Sequence, residues 1–293
     1  MFSVLDNALD KIETKTFNFR EVQLGRSLIA LAQIITLVLT KPSNLLAPQV
    51  GVPPFPHCEK GVQVVSIYCM PGVDSRCASI LILVILVWVV SGFFPRYSCF
   101  FHWWASLSMG ISWSLPDGGE AVARIATLLL IPICLSYPSL HGWTRWPFTK
   151  GDKKSIIIAY VFIWSLRIEM AYIYVDASIS KFAVAEWVDG SAMYYIARGS
   201  MFGVYGPLSS LLLEITSNPV GVISLTWGAL IIELVIGALI LFSDKKVCRS
   251  SAIILDMLLH LGIGTLMGIW SFSIIMIGSV IVACTGFTSP DPG

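Results

Sequence analysis

The chain has 293 residues, 56% of them hydrophobic and only 13% charged, with a formal net charge of +1. Soluble domains carry about 25% charged residues and about 45–50% apolar ones, so an aqueous fold cannot sequester this much apolar surface and lipid must be the solvent for most of it. No basic face of the kind that phosphate contacts require is present, which argues against nucleic acid as a partner.

Residues 1–26 open the chain as a polar lead-in. Asp6, Asp10, Lys11, Glu13, Lys15, Arg20 and Glu21 make this stretch too polar for the core of a cleaved signal peptide. An amphipathic segment lying on the cytoplasmic membrane surface is expected instead.

A spanning helix needs about 20 mostly apolar residues to cross about 30 Å of hydrocarbon. The first such run is Ser27 to Thr40, stopped by Lys41-Pro42. After a loop over 41–77 come Ala78 to Phe94, Phe100 to Leu115 and Ala121 to Leu135. Ser155 to about Val175 follows, then a polar segment over 176–219, then Val220 to Phe242. Ser251 to Phe287 is long enough for a hairpin of two spans turning near Gly268 to Ser271. The expected fold class is all-α: a polytopic transmembrane helical bundle of about eight spans with an interfacial helix segment, forming a single membrane domain over 1–293.

Three basic clusters orient this array: Lys11, Lys15, Arg20 and Arg26; Arg145, Lys150, Lys153 and Lys154; and Lys245, Lys246 and Arg249. All fall on one side of an eight-span count, and the positive-inside tendency makes that side the cytoplasm. The loops over 41–77 and 176–219 then face outward and the N-terminus is cytoplasmic. Cys58, Cys69 and Cys77 share the first outer loop, where an oxidising compartment allows two of them to join. No Cys/His metal spacing occurs, and HExxH, GxSxG and GxxxxGK[ST] are absent.

Ionisable groups inside spans cost roughly 2.5–3.5 kcal/mol each, so every one needs a reason. The fifth span carries Arg167, Glu169 and Asp176. Glu169, Tyr172 and Asp176 fall on one face at helical spacing and form a candidate binding face. Glu233 lies in the sixth span, and Asp256 and His260 sit at i, i+4 in the seventh. Register-fixing ion pairs account for Arg167 and Asp256, whereas Glu233 and Glu169 suit a structural and a functional role equally.

The segment from Asp176 to Tyr195 departs from its surroundings. Lys181 extends the fifth helix, Trp187, Tyr194 and Tyr195 suit a membrane–water boundary, and Asp189-Gly190-Ser191 signals a turn and a helix start. A short interfacial helix is expected from Ser191 to Phe202. Two readings of Lys181 stand side by side. Its stem can snorkel so that the ammonium reaches the headgroups, or desolvation beneath the aromatics can favour a neutral amine that serves as a base.

Lys181, Trp187-Val-Asp189-Gly190 and Met193-Tyr194 through Phe202 resemble the signature of the membrane (HTTM) domain of vitamin K-dependent gamma-carboxylase and its bacterial relatives. Leu230-Ile-Ile-Glu233 to Gly237, then His260, then Ser271-Phe272-Ser273 follow that domain's later helices in order. The Leu24-Gly-Arg26-Ser27-Leu28 opening and the Asp117-Gly118-Gly119 turn most resemble the sporulation-delaying protein B (SdpB) family. By the carboxylase resemblance, Lys181 is a catalytic base assisted by Glu233 and His260, with a quinone or lipid as cofactor. Glu169, Tyr172, Asp176, Trp187, Asp189 and Tyr194 are the candidate substrate-binding residues. The lysine-to-tryptophan spacing is one residue longer than the carboxylase's. Asp117 to Glu120 stand where the carboxylase has an Asn-His pair, and room for a counterpart of its large lumenal substrate-binding domain is not expected in these residues. By the SdpB resemblance, the chain is a bacterial cell-membrane protein that matures a secreted antimicrobial peptide toxin, with a toxin precursor and an SdpA-type protein as partners. A non-enzymatic scaffold or immunity protein is the remaining alternative.

Overall fold

A computed structural model describes residues 16–59, 61–144, 153–200 and 203–288. Most of the lead-in, together with Arg145, Lys150, Met201 and Phe202, lies outside the described residues.

The eight apolar runs form eight helices: α1 (Phe19–Leu39), α2 (Ser75–Ser91), α3 (Pro95–Ser112), α4 (Gly118–Ser136), α5 (Lys153–Lys181), then α9 (Pro219–Leu241), α10 (Lys246–Met267) and α11 (Trp270–Ala283). Between α5 and α9 lie the shorter α6 (Ala185–Val188), α7 (Ala192–Arg198) and α8 (Ser209–Ser217). Among the described residues, five helices (α1, α4, α5, α9 and α10) are long and apolar enough to cross a membrane, while α2 and α11 are shorter apolar helices.

Helix starts follow local chemistry. Asn18, Asp74, Asp117 and Asn218 each accept a backbone N–H of the turn they precede. Pro95 and Pro219 occupy first-turn positions that need no donor. The α10–α11 hairpin turns at Gly268, whose φ of 75° is readily available only to glycine.

Two ends of the bundle are distinguishable. At the strand end, β1 (Thr16–Phe17) pairs antiparallel with β2 (Phe287–Thr288). Phe19 stacks on Tyr137 there, and the Gly142 N–H donates to the Gly92 carbonyl at 2.8 Å. The opposite, loop end holds residues 41–59, 61–74, 113–117 and 267–269. Helix α1 packs against α11 so closely that a Cβ on Gly25 would meet the Gly278 carbonyl oxygen and the Val282 side chain. Ile133, Leu166, Met170, Ile236 and Val280 belong to the main core, and Leu86, Met109 and Trp113 to a second one.

Of the basic residues used for orientation, Arg20, Lys154, Lys245, Lys246 and Arg249 lie at the strand end; Lys41, Arg76 and Arg198, which were not used for it, lie at the other. Arg26 does not join the surface cluster. It is fully buried inside α1 and donates to Ser98 Oγ at 2.7 Å, because α1 begins eight residues earlier than Ser27 and carries the arginine into the bundle.

Candidate functional site

Helix α5 supplies the site from one inward stripe: Arg167, Met170, Ala171, Tyr174 and Ser178 are buried along it, and Lys181 ends it. Tyr174, Ser178 and Lys181 are at i, i+4 and i+7, hence on one face. Lys181 Nζ donates to both oxygens of Glu233, at 2.5 and 2.6 Å. Its stem and head remain partly enclosed, with side chains 24% exposed for Lys181 and 14% for Glu233. The ammonium also lies 5.1 Å from the centroid of the Trp187 ring, within range of a cation–π contact.

The register of this pairing sets its depth. Ser178 Oγ donates to the Leu230 carbonyl at 3.2 Å, so the end of α5 meets the middle of α9. Helix α9 continues toward the loop end for roughly 20 Å beyond Glu233, at about 1.5 Å per residue. The segment after Lys181 fills the space alongside that stretch. Phe182 meets Trp227 edge-on, and Gly190 lies against Ile223 and Trp227. The Met193 N–H donates to Thr226 Oγ1 at 3.1 Å. Lys181 therefore reaches a carboxylate on α9 within the bundle.

Two turns along α5, Tyr174 donates its hydroxyl hydrogen to Asp256 Oδ1 and lies 3.0 Å from His260 Nε2. All three side chains are buried. Asp256 Oδ2 and His260 Nδ1 have no hydrogen-bond partner among the described residues, and Phe272 covers the imidazole edge-on at 5.3 Å. The expected neighbours Asp256 and His260 are thus side by side, bridged by a tyrosine that the charge pattern did not single out. Near the strand end, Arg167 pairs with Asp244 at 2.8 Å and donates to the Ala283 and Thr285 carbonyls, which locks α5 to the end of α11.

The other candidate binding residues fall elsewhere. Tyr172 and Asp176 are exposed on the far side of α5, away from Lys181. Glu169 turns its carboxylate into the protein, where neither oxygen has a hydrogen-bond partner among the described residues. Asp189 is an exposed turn residue that accepts from the Ser191 N–H at 2.9 Å. Tyr194 lies beneath the Arg198 guanidinium at 3.9 Å, outside the Lys181 contact. The interfacial helix is α7, which ends at Arg198; of the expected continuation, Met201 and Phe202 lie outside the described residues. In the loop over 41–77 a disulfide joins Cys58 to Cys69, and Cys77 is free. No group of three metal-ligating side chains occurs among the described residues.

Chemically, Lys181 and Glu233 can exchange a proton, and Tyr174 can pass one between a carboxylate and an imidazole. Such polar groups set into an apolar helix bundle are those of a helical membrane protein with polar side chains paired between its helices. The HTTM domain model matches residues 125–286, from within α4 through the end of α11 and including both polar groups. The chain belongs to the HTTM domain family.

Among curated proteins it is similar to uncharacterized protein YitO of Bacillus subtilis (strain 168), 34% identical over 91% of this chain and 85% of that one. It is also similar to the sporulation-delaying protein SdpB of the same strain, 26% identical over 88% of this chain and 79% of that one. No solved structure matches the chain.

Proposed function

We propose that this SdpB-related membrane protein takes part in maturing a secreted antimicrobial peptide, acting with an SdpA-type partner on the precursor. The observation that carries the reading is the similarity to SdpB along nearly the whole chain, 88% of it. The polar pair supports it, because Lys181 and Glu233 are held together where an apolar bundle has no structural need for a charge. In this reading the chain crosses the membrane many times, the strand end and N-terminus are cytoplasmic, and the loop end faces the secreted precursor. Deletion of the gene should abolish active peptide, and restoration by the wild-type chain but not by Lys181→Ala should follow. Normal peptide production in the deletion strain would remove the proposal.

A second reading is an isoprenoid- or lipid-dependent enzyme of the carboxylase type. An apolar cavity of about 290 Å³ between α7, α9 and α10 favours it, lined by Met193, Ile196, Gly228, Ile232, Leu259 and Gly262. A lysine acting as base needs its lone pair free, so this reading requires the proton shared in the pair to reside on Glu233 during the reaction. Mass spectrometry of the purified protein decides between the two: a co-purifying quinone or isoprenoid favours the second, and its absence the first.

A further inference from the structure

We propose that the hollow at the loop end of α1, α3 and α4 binds a primary ammonium group, and that its carrier is the free amino terminus of a peptide. The hollow measures about 250 Å³ and is walled by Thr36, Thr40, Asn44, Trp113, Asp117 and Glu120. It lies on different helices from the Lys181–Glu233 pair, and nothing in the proton chemistry above uses it.

Glu120 carries the argument. It sits in the first turn of α4, only 1% exposed. Its Oε2 accepts from Gln33 Nε2 at 3.1 Å, and the same amide group is held by Ser106 Oγ at 3.0 Å. Its Oε1 is buried and has no hydrogen-bond donor among the described residues, and Glu120 is one of the residues that line the hollow. A buried carboxylate oxygen without a donor costs free energy unless something supplies one. Asp117 places a second carboxylate on the same wall while its Oδ1 accepts from the Glu120 N–H at 3.0 Å. Burial pushes the Asp117 carboxyl above its ordinary range, which a bound cation would reverse. Thr36 donates to the Ala32 carbonyl, leaving its oxygen free to accept.

The wall is therefore rich in acceptors, and no lysine or arginine among the described residues lines it. That pattern suits a ligand which only donates, and an ammonium offers three N–H donors. Trp113 adds an aromatic wall of the sort cations favour, held in place by its Nε1 donating to Tyr68 Oη at 3.2 Å. The hollow of about 250 Å³ has room for an amine together with a small attached group. An amine attached to a small apolar body fills it, with Leu45 and Leu115 at hand to meet that body.

The proposal rests on the peptide-maturation reading only for the identity of the carrier. A direct binding measurement needs no toxin, so the two fail separately. Full-length protein in detergent micelles is titrated calorimetrically with leucyl-glycinamide and with its N-acetyl derivative. The free amine should bind at least tenfold more tightly than the acetylated form. Glu120→Gln should weaken it at least tenfold, and Thr40→Val, on the rim, should weaken it severalfold without touching the buried network. Equal binding of the two probes, or no binding of either, overturns the proposal. Two other outcomes overturn it by naming a different occupant: Glu120-dependent thermal stabilisation by sodium chloride alone, or protection only in nanodiscs containing phosphatidylethanolamine.

Discussion

Removing either member of the Lys181–Glu233 pair strands the other in a partly enclosed apolar setting. Stranding one charge of a fully buried pair costs about 3–5 kcal/mol, and an exposed pair is worth about 0–1 kcal/mol. With side chains 24% and 14% exposed and two short contacts, this pair lies between those limits. Lys181→Met and Glu233→Gln should each destabilise by about 2 kcal/mol, and the double variant should recover about 1–2 kcal/mol of the summed loss. The assay is unfolding in mixed micelles as the fraction of denaturing detergent rises, followed by tryptophan fluorescence. A coupling below about 0.5 kcal/mol would refute the pairing, since that is the error of additivity for independent sites. If the double variant is as stable as wild type yet produces no peptide, the pair is functional and more than a register device.

Three further outcomes follow from other parts of the molecule. Gly25→Leu should destabilise by at least about 1–3 kcal/mol, the usual cost of overpacking, because α1 and α11 have no room for a side chain there. Gly262→Ala, where nothing lies within 4 Å, should leave the melting temperature unchanged, and equal effects of the two would contradict the crossing. Titration of the unfolded chain should find five thiols before reductant and all seven cysteines after it, if the Cys58–Cys69 bridge holds; equal counts would remove the bridge. The Cys77 N–H donates to Asp74 Oδ1 at 2.7 Å and holds that carboxyl below its ordinary range. A depressed folded-state value means that its support for the start of α2 is present above the unfolded value of about 3.9 and is lost as pH falls through the folded one. Hydrogen-exchange protection at Cys77, corrected for intrinsic rate, should fall in that acidic window, and Asp74→Ala should lack it throughout.

The long helices were legible because apolar runs of bilayer length leave few other folds, and the Gly268 turn because glycine stands between two such runs. Lys181 and Glu233 were legible one by one, as charges in apolar sequence. What the sequence did not reveal was which face of α5 turns inward. Glu169, Tyr172 and Asp176 share a helical face, and periodicity alone cannot distinguish it from the stripe of Tyr174, Ser178 and Lys181 that meets α9 and α10. The inward stripe is chosen by neighbours far away in the chain, among them Leu230, Asp256 and His260. Arg26 escaped for a related reason: its partner Ser98 lies 72 residues on, and a serine in an apolar run draws no attention. Gln33 and Ser106, which hold Glu120, belong to the same class of quiet polar residues.

The most direct test of the account is complementation of a deletion strain by Lys181→Ala, Glu233→Ala and Tyr172→Ala, each confirmed by immunoblot to reach the membrane at wild-type level. Loss of active peptide with the first two, and full activity with Tyr172→Ala on the outward face, is the predicted result. Wild-type peptide production by either Lys181→Ala or Glu233→Ala would contradict the assignment of this pair as the working centre of the protein.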